Sequence, residues 1–340
     1  MQLNKKVPGQ VVYNLSGRGG GVPVAENRKD LPGGTTSRYT VFKFRLYPTP
    51  EQAELMDKTF HCCRYLWNRM LTDAREFYAA TDLQYIPTPA HYKKEAPFLK
   101  EVDSQALCTV HQNLRQAYLN FFRNPAAFQY PRFKAKKDRV NSFTVYCRPY
   151  RTGPSIYLTG TGIQMPKLGH IRANLHRKPL RWWTLVSAAV SKSRSGKYFC
   201  SISFKCTAKE AEPVPPVRVL ELNYSSARLY VDSEGSSPNP PDQTKSREKL
   251  ARMQQKLSRM ERGSNNYNQQ LQKIRLLHEH IANQRKDFLH KESRRIANDW
   301  DAVRVKQEAL RGENAGFGMF LEFLQYKLER QGKQYIVAPS

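Results

Sequence analysis

The stretch from residue 131 to residue 210 most restricts the fold, because it changes the character of the chain between two helix-like regions. It consists of short strand-like runs, such as SFTVYC and KYFCSISFKC, that are separated by Gly and Pro. Runs of this kind predict a small antiparallel barrel. Apolar residues at helical spacing lie on both sides of it. The sequence therefore predicts a multidomain α+β fold.

An alternating strand opens the ordered part of the chain. The run YTVFKFRL, residues 39–46, alternates aromatic or aliphatic side chains with Lys and Arg. In the PTPEQ that follows, Thr49 can cap a helix, Pro50 fits its first turn and Glu51 favours its positive end. A second amphipathic helix is predicted to begin after Asp103.

The C-terminal third follows a Pro-rich linker, AEPVPPV. Its apolar pattern switches between alternation and helical spacing, which predicts an α/β sheet domain. The predicted elements are a strand pair around 217–232, two long helices joined at 262–266, a strand at 301–305, a helix over 314–331 and a strand at 334–339.

The charge of the chain indicates a polyanionic partner. Lys and Arg number 56 against 29 Asp and Glu, for a net charge of +27. Residues 131–210 hold 17 of the basic residues and two acidic ones. Aromatic side chains are interleaved with this charge, which favours a nucleic-acid groove over a merely solvated basic face or an anionic membrane surface. No apolar run approaches the ~20 residues that a membrane span needs.

Two further features exclude other classes. Residues 1–38 are rich in Gly, Pro, Ser and Thr, which predicts a disordered extension or an upstream start of the reading frame; they carry neither a secretory signal nor a phosphate loop. The six cysteines form no C-x-x-C pair, which argues against a zinc site and a disulfide framework. We expect six reduced thiols, most of them buried.

Nine stretches, in order along residues 39–338, carry a resemblance to a known family. They are FKFRLYPTPEQAEL, TFHCCRYLWNRML, LKEVDSQAL, AYLNFFR, PRFKAKK, MPKLGHI, QKLSRMERGSNN, LHEHIANQRKDFLHK and GFGMFLEFLQYK. Together they resemble the TnpB proteins of insertion-sequence transposons, which are RNA-guided nucleases related to type V CRISPR effectors.

The resemblance implies a domain arrangement. Residues 39–49 and 125–212 would form a wedge domain, an oligonucleotide-binding-type β-barrel, with a helical recognition domain inserted over 50–124. Residues 213–340 would form a RuvC-like α/β domain of the RNase H type, C-terminally truncated and without the family's zinc ribbon. Its helical hairpin would span 245–298.

The resemblance also points to an altered active site. RNase H-type cleavage needs clustered carboxylates that hold two Mg²⁺ ions. Glu221 matches the family's first Asp and is one methylene longer, whereas Lys306 matches the position of the second carboxylate. Moving the register to use Glu308 displaces the carboxylate by ~6–7 Å along the strand. The third carboxylate and the zinc-binding Cys pairs lie beyond Ser340 in the family.

These departures favour a nuclease-dead, RNA-guided DNA-binding protein that represses transcription by occluding a promoter. On this interpretation the chain is not an enzyme and holds neither catalytic metal nor zinc. The alternatives are an RNA-guided DNA endonuclease with an altered active site, and a decayed transposon-derived fragment that binds RNA.

Candidate contact residues follow from matching positions and from basic clustering. Trp182 and Trp183 are adjacent, so one is expected to pack in the barrel while the other is free to stack on a base. For the short DNA motif beside the target, the matching residues are Tyr85, Ser104, Gln105 and Cys108. For guide RNA and heteroduplex, the candidates are Arg132, Lys134, Lys136, Lys137, Lys167, Arg285 and Lys286.

The implied partners are a structured guide RNA and a double-stranded DNA target, with RNA polymerase affected indirectly by occlusion and no membrane partner. One RNA would hold a monomer or a dimer. The resemblance places the complex in the bacterial cytoplasm, associated with the nucleoid.

Overall fold

The computed structural model describes residues 35–135, 141–151, 153–209, 211–225, 228–306 and 315–338. Two compact units are present. The first includes Thr36–Ala208 and the second includes Lys209–Ser340. Residues 1–34, where most of the predicted extension falls, lie outside the described residues.

A large antiparallel sheet dominates the first unit. Its seven strands lie in the order β2-β8-β9-β1-β7-β6-β5, and a separate two-stranded pair joins β3 to β4. The strands are β1 (Thr35–Tyr47), β2 (Asn141–Tyr146), β3 (Pro149–Tyr150), β4 (Gly153–Pro154), β5 (Tyr157–Leu158), β6 (Gly162–Met165), β7 (Gly169–Asn174), β8 (Thr184–Lys192) and β9 (Tyr198–Lys209). β1 thus begins four residues before the predicted boundary at residue 39.

The two long helices of the first unit begin where the capping residues predict. Thr49 and Gln52 form a reciprocal capping box at the start of the first helix, and Asp103 accepts from the N–H groups of Gln105 and Ala106 at the start of the third. The elements are α1 (Pro50–Thr81), α2 (Pro89–Glu95), a 3₁₀ turn (Pro97–Lys100) and α3 (Ser104–Arg123).

Hydrogen bonds and an apolar core join α1 to the sheet. Asp57 of α1 accepts hydrogen bonds from the Lys192 ammonium at 2.6 Å and from the Tyr198 hydroxyl at 2.9 Å, which bind it to the β8–β9 hairpin. The inward residues of β1, Phe44 and Leu46, are fully buried in the core. Alternation along the strand therefore places one face of β1 in the core and leaves the other to solvent.

The second unit is built on a four-stranded sheet of order β11-β10-β12-β13. Pairing is parallel between β10 and β12 and between β12 and β13, and antiparallel between β10 and β11. The predicted α/β sheet is confirmed. Its elements are β10 (Val219–Tyr224), β11 (Tyr230–Asp232), α4 (Thr244–Ser258), α5 (Asn265–Asp299), β12 (Ala302–Lys306), α6 (Ala315–Arg330) and β13 (Gln334–Ala338).

Two side-chain amides hold the two arms of the α4–α5 hairpin in alignment. Gln270 donates to the carbonyl of Met253 at 3.1 Å, and Gln243 donates to the carbonyl of Ile281 at 3.2 Å. From Met253 back to Gln243 the residue numbers fall, while on the facing segment they rise from Gln270 to Ile281. The two segments therefore run antiparallel, as predicted. The sheet buries Leu222 and Val305 in the core of the second unit.

All six cysteines are free thiols, and Cys62, Cys63, Cys200 and Cys206 are buried. Burial raises the pKa of Cys63 and of Cys200 to about 12, so these thiols are unreactive packing groups. Across the described helices, no segment is both long and apolar enough to cross a bilayer.

Candidate nucleic-acid interface

Residues 130–134, here called the basic strap, are fastened along α1 by side chains of that helix. The indole N–H of Trp67 donates to the carbonyl of Arg132 at 2.9 Å. The amide of Asn68 bonds both the N–H of Lys134, at 2.8 Å, and its carbonyl, at 2.9 Å. Arg75 donates to the carbonyl of Pro131 at 3.0 Å. These bonds fix the backbone of the strap, and the side chain of Arg132 is exposed.

The side chains of the strap form alternating cationic and aromatic contacts. Arg132 and Phe133 are exposed, and the Arg75 guanidinium lies 4.7 Å from the centroid of the Phe133 ring. The ammonium of Lys134 lies 3.8 Å from the ring centroid of Trp67, where burial lowers its pKa. Two of the predicted RNA-binding residues, Arg132 and Lys134, thus lie in a segment whose backbone is fixed by α1. The other two in this run, Lys136 and Lys137, lie outside the described residues.

The outer face of the large sheet carries a second such arrangement, which we call the cation–aromatic face: Lys43, Arg45, Tyr47, Arg172 and Phe199. Phe199 lies between two cations, 4.6 Å from the Lys43 ammonium and 5.2 Å from the Arg45 guanidinium. Tyr47 likewise lies between Arg45 and Arg172, at 5.5 and 5.7 Å. The alternation of β1 predicts that Lys43 and Arg45 share a face, but no sequence signal brings Phe199 or Arg172 to them.

Small residues extend this face across the neighbouring strands. Ala189 of β8 pairs with Ser201 of β9, and Ser187 pairs with Ser203. Short side chains leave the strand backbone open to approach, and hydroxyl groups can donate to phosphate oxygens. The face combines cations that contact aromatic rings with a neighbouring strip of short side chains. This combination suits a nucleic-acid backbone with unstacked bases.

One of the two adjacent tryptophans packs against the core, as predicted, and base stacking by the other stays a prediction. Trp183 packs 5.6 Å from the ring centroid of Phe42 and 6.1 Å from that of Phe204. Trp182 is 67% exposed. Both precede β8 rather than lie within it, so a turn, not strand alternation, separates them.

The predicted DNA-motif residues occupy two segments that meet. Ser104, Gln105 and Cys108 lie in the first turns of α3, with Ser104 exposed. Tyr85 packs on Phe77, 5.3 Å between ring centroids. A hydrogen bond between the His111 ring and the carbonyl of Ile86, at 3.3 Å, holds the segment after Tyr85 against α3 one turn beyond Cys108.

The remaining predicted contacts are scattered. Lys167 lies in the turn between β6 and β7 with a φ of 64°, and its ammonium donates to the carbonyl of Lys100 at 3.3 Å. Arg285 and Lys286 are exposed on α5 of the second unit, and Lys286 lies 5.9 Å from the ring centroid of Phe323.

Glu221 lies on the solvent-facing side of the second sheet. The register places it opposite Arg304, and the two form an ion pair of 2.6 Å in which both side chains are 45% exposed. Lys306, two residues after Arg304, ends β12 on the same face. The sequence pattern identified Lys306 at this position and missed Arg304, the residue that contacts Glu221.

Among the described residues, this face carries one carboxylate, Glu221, beside two cations, Arg304 and Lys306, whereas a two-magnesium site uses several carboxylates. Over the described ranges, no group of three His, Cys, Asp or Glu side chains is placed to hold a metal ion. Glu308 lies outside those ranges. We therefore assign no metal-dependent step to Glu221.

Family models match two parts of the chain. A model described as a helix-turn-helix domain matches residues 38–82, and a model described as "Probable transposase" matches residues 220–311. The first region is nevertheless a strand followed by one continuous helix of 32 residues, α1.

Whole-chain comparisons extend the match. One relative, "Putative RNA-guided DNA endonuclease InsQ" of Escherichia coli K12, is 35% identical over 75% of this chain. The chain spans only 62% of that relative's length. A "Putative RNA-guided DNA endonuclease" of Streptomyces pristinaespiralis is 28% identical, over 87% of this chain and 76% of the relative. A solved complex titled Cas12f1-sgRNA-target DNA shares the multidomain α+β fold, with a TM-score of 0.53, 8% identity and 90% coverage of both chains.

Proposed function

Because this chain belongs to the TnpB/IS605 OrfB family, we propose that it binds a guide RNA, which directs it to a complementary DNA. The names of its relatives, RNA-guided DNA endonucleases, support this proposal. So does the fold it shares with a protein solved with sgRNA and target DNA. In such complexes base pairing reads sequence, while the protein holds the heteroduplex by its shape and charge.

The observation that carries the proposal is the cation–aromatic face together with the basic strap. Both present guanidinium or ammonium groups already seated against aromatic rings. Cations held in this way lose little freedom when they meet a phosphate, and the exposed rings provide surfaces on which bases stack. On this proposal the RNA contacts include Arg132, Lys134 and the exposed Trp182.

The proposal extends to the roles of the two units. The seven-stranded sheet serves as the wedge domain of the oligonucleotide-binding type, and the second unit as the RuvC-like domain. The junction of the Tyr85 segment with α3 reads the short DNA motif. There Gln105 has the amide chemistry to bond an adenine edge.

Occupancy gives the complex a regulatory role in this proposal. A guide that matches a promoter would place the protein where RNA polymerase binds, and repression then follows from residence on the DNA. The complex would act on the nucleoid in the bacterial cytoplasm, with one RNA holding one or two copies of the chain.

The expectation that the chain is not an enzyme is wrong, because its relatives are named endonucleases and the family is therefore enzymatic. RNA-guided DNA cleavage is a second candidate function, favoured by those names. The ion pair of Glu221 does not decide against it. Exposed pairs contribute about 0–1 kcal/mol and open readily in water.

The decisive experiment recovers the RNA that copurifies with the full chain and maps the sites occupied in the same cells. We expect one discrete RNA species, and occupancy at DNA that matches its guide segment. A reporter under a matching promoter should be repressed, and the purified complex with Mg²⁺ is assayed in parallel for cleavage. Absence of a discrete RNA would refute guided binding, and occupancy without repression would refute promoter occlusion.

A matched pair of variants tests the surface itself. Arg45→Gln combined with Arg172→Gln removes two cations from the cation–aromatic face, whereas Lys93→Gln combined with Lys94→Gln removes two cations from the last turn of α2. We expect the double variant to bind the copurifying RNA at least about tenfold more weakly, since charge-assisted bonds contribute about 1.5–3 kcal/mol each. The α2 variant should change affinity little.

A further inference from the structure

The second unit contains a cavity to which the proposed function assigns no ligand, although one of its lining residues, Arg285, is among the predicted heteroduplex contacts. Its volume is about 600 Å³, within the range of small-molecule sites. Arg228 of the turn before β11, Arg247 of α4 and Arg285 of α5 all line it. These residues are far apart in sequence, so only the folded unit brings them to the lining of one cavity, where all three are exposed.

The charge of this cavity is not balanced within the described residues. None of the three arginines forms an ion pair there. The acid in the described lining is Asp242, whose carboxylate accepts the N–H of Thr244 at 2.9 Å. Hydrogen bonding with Thr244 lowers the pKa of Asp242 and keeps it ionised. Three cations against one anion leave an excess of positive charge, which an anionic ligand would neutralise.

The shape and lining indicate which anion fits. Guanidinium groups bind phosphate through paired N–H donors. Beside the arginines, the lining includes the polar side chains of Asn239, Gln243 and Thr244. It also includes an apolar part, formed by Leu229, Pro241 and the half-buried Phe288. A ligand with a phosphate at one end and a flat apolar ring at the other would match both parts.

We propose that this cavity binds a nucleotide, its phosphate on Arg228, Arg247 and Arg285 and its base against Phe288. The nucleotide is either free or an unpaired unit of a bound strand. The second source rests on the proposed function, whereas the first is independent of it.

Two fluorescent probes separate these sources on the full chain after its copurifying RNA has been removed: labelled adenosine monophosphate and a labelled short single-stranded RNA. The cavity variant is Arg247→Gln with Arg285→Gln. Its matched control is Arg252→Gln with Arg275→Gln, which removes the same charge from the same two helices outside the cavity. Unlabelled adenosine and its monophosphate compete in a further arm, to measure the contribution of the phosphate.

A free nucleotide is the source if the cavity variant binds the monophosphate at least about tenfold more weakly than the control variant does and adenosine competes poorly. A strand is the source if the monophosphate does not bind and only the cavity variant loses about tenfold in RNA affinity. Equal behaviour of the two variants toward both probes overturns the proposal.

Two controls keep the result interpretable. Thermal unfolding shows whether the cavity variant is folded; if it is not, Arg285→Lys replaces it, keeping the charge but losing the paired donors, with an intermediate affinity expected. Failure of guided DNA occupancy would refute the proposed function while leaving the monophosphate result unchanged, so the two failures are distinguishable.

Discussion

Glu221 forms an ion pair with Arg304, a contact that the sequence did not predict. Their side chains meet at 2.6 Å across parallel strands, yet both are 45% exposed. Water and salt therefore screen the attraction, and the pair holds Glu221 only weakly.

A double-mutant cycle measures this pair. We expect a coupling of about 0.5 kcal/mol between Glu221→Ala and Arg304→Ala, since exposed ion pairs fall near that value. Denaturant unfolding of the two single variants and the double variant gives the number. A coupling above about 2 kcal/mol would contradict the exposed geometry.

Position 332 accommodates only glycine, because the structure leaves no room for a Cβ atom there. Its φ is 72°, and a Cβ there would lie 2.1 Å from the carbonyl oxygen of Glu212 in the linker. Gly235 has a similar φ of 78° with open space around it. Substitution at Gly235 therefore measures the cost of backbone strain alone, whereas substitution at Gly332 measures backbone strain plus steric collision.

We expect Gly235→Ala to cost about 1 kcal/mol of unfolding free energy, from the left-handed backbone alone. Gly332→Ala should cost at least about 2 kcal/mol more, because the linker backbone must move. Equal costs for the two variants, measured by denaturant unfolding, would argue against close packing of the linker at Gly332.

At the scale of elements, the basic strap depends on α1 for its shape. The single side chain of Asn68 bonds both backbone groups of Lys134. Its loss should loosen the strap without altering any charge, because no cation is removed.

We expect Asn68→Ala to lower stability by about 1–2 kcal/mol and to weaken RNA binding several-fold. Fluorescence anisotropy with the copurifying RNA measures the second effect. Gln116→Ala is the control, since it removes an exposed amide that bonds only the side chain of Asn120 in the described contacts. Unchanged RNA affinity in Asn68→Ala would mean that order in the strap is unimportant.

The contact between α3 and the Tyr85 segment should depend on pH. Burial, together with the nearby charge of Arg115, lowers the pKa of His111, whereas its bond to the carbonyl of Ile86 opposes the shift. The folded state thus favours the neutral ring, so this stability is present above the ordinary pKa of about 6.5 and is lost as pH falls through the lowered value.

We expect acidification from neutral pH to reduce the unfolding free energy more in the parent protein than in His111→Gln, which does not titrate. His91→Gln, at an exposed histidine of α2, is the control for the substitution itself. Identical pH profiles for the parent and His111→Gln would contradict a buried neutral ring.

At the scale of the whole molecule, the net charge of +27 governs how binding responds to salt. Each phosphate contact on a single strand contributes about −0.7 to the slope of log affinity against log salt, whereas stacking contributes little to that slope. Charge and stacking can therefore be measured separately.

We expect Arg132→Gln to make the salt slope of RNA binding shallower by about 0.7. Trp182→Ala should weaken binding by about 1–3 kcal/mol at a nearly unchanged slope, because its role is to stack on a base. Titrations at several salt concentrations give both quantities. A parallel change of slope in Trp182→Ala would show that its ring does not act by stacking.

The sequence by itself determined the alternating strands, the capped helices, the α/β order of the second unit and the basic character of residues 131–210. Each of these depends on neighbouring residues, through side-chain period, capping chemistry and composition. The family resemblance likewise rests on short ordered motifs. The same local reading placed Lys306 near Glu221 and led to the wrong expectation that the chain is not an enzyme.

Only the tertiary structure decided which distant residues meet. Phe199 reaches Lys43 and Arg45 through pairing in the large sheet, and Arg304 reaches Glu221 through parallel register. The arginines of the cavity come from three segments. Such contacts depend on strand order and helix packing. These are set by the packing of the whole core, so a pattern of neighbouring residues in the sequence does not predict them.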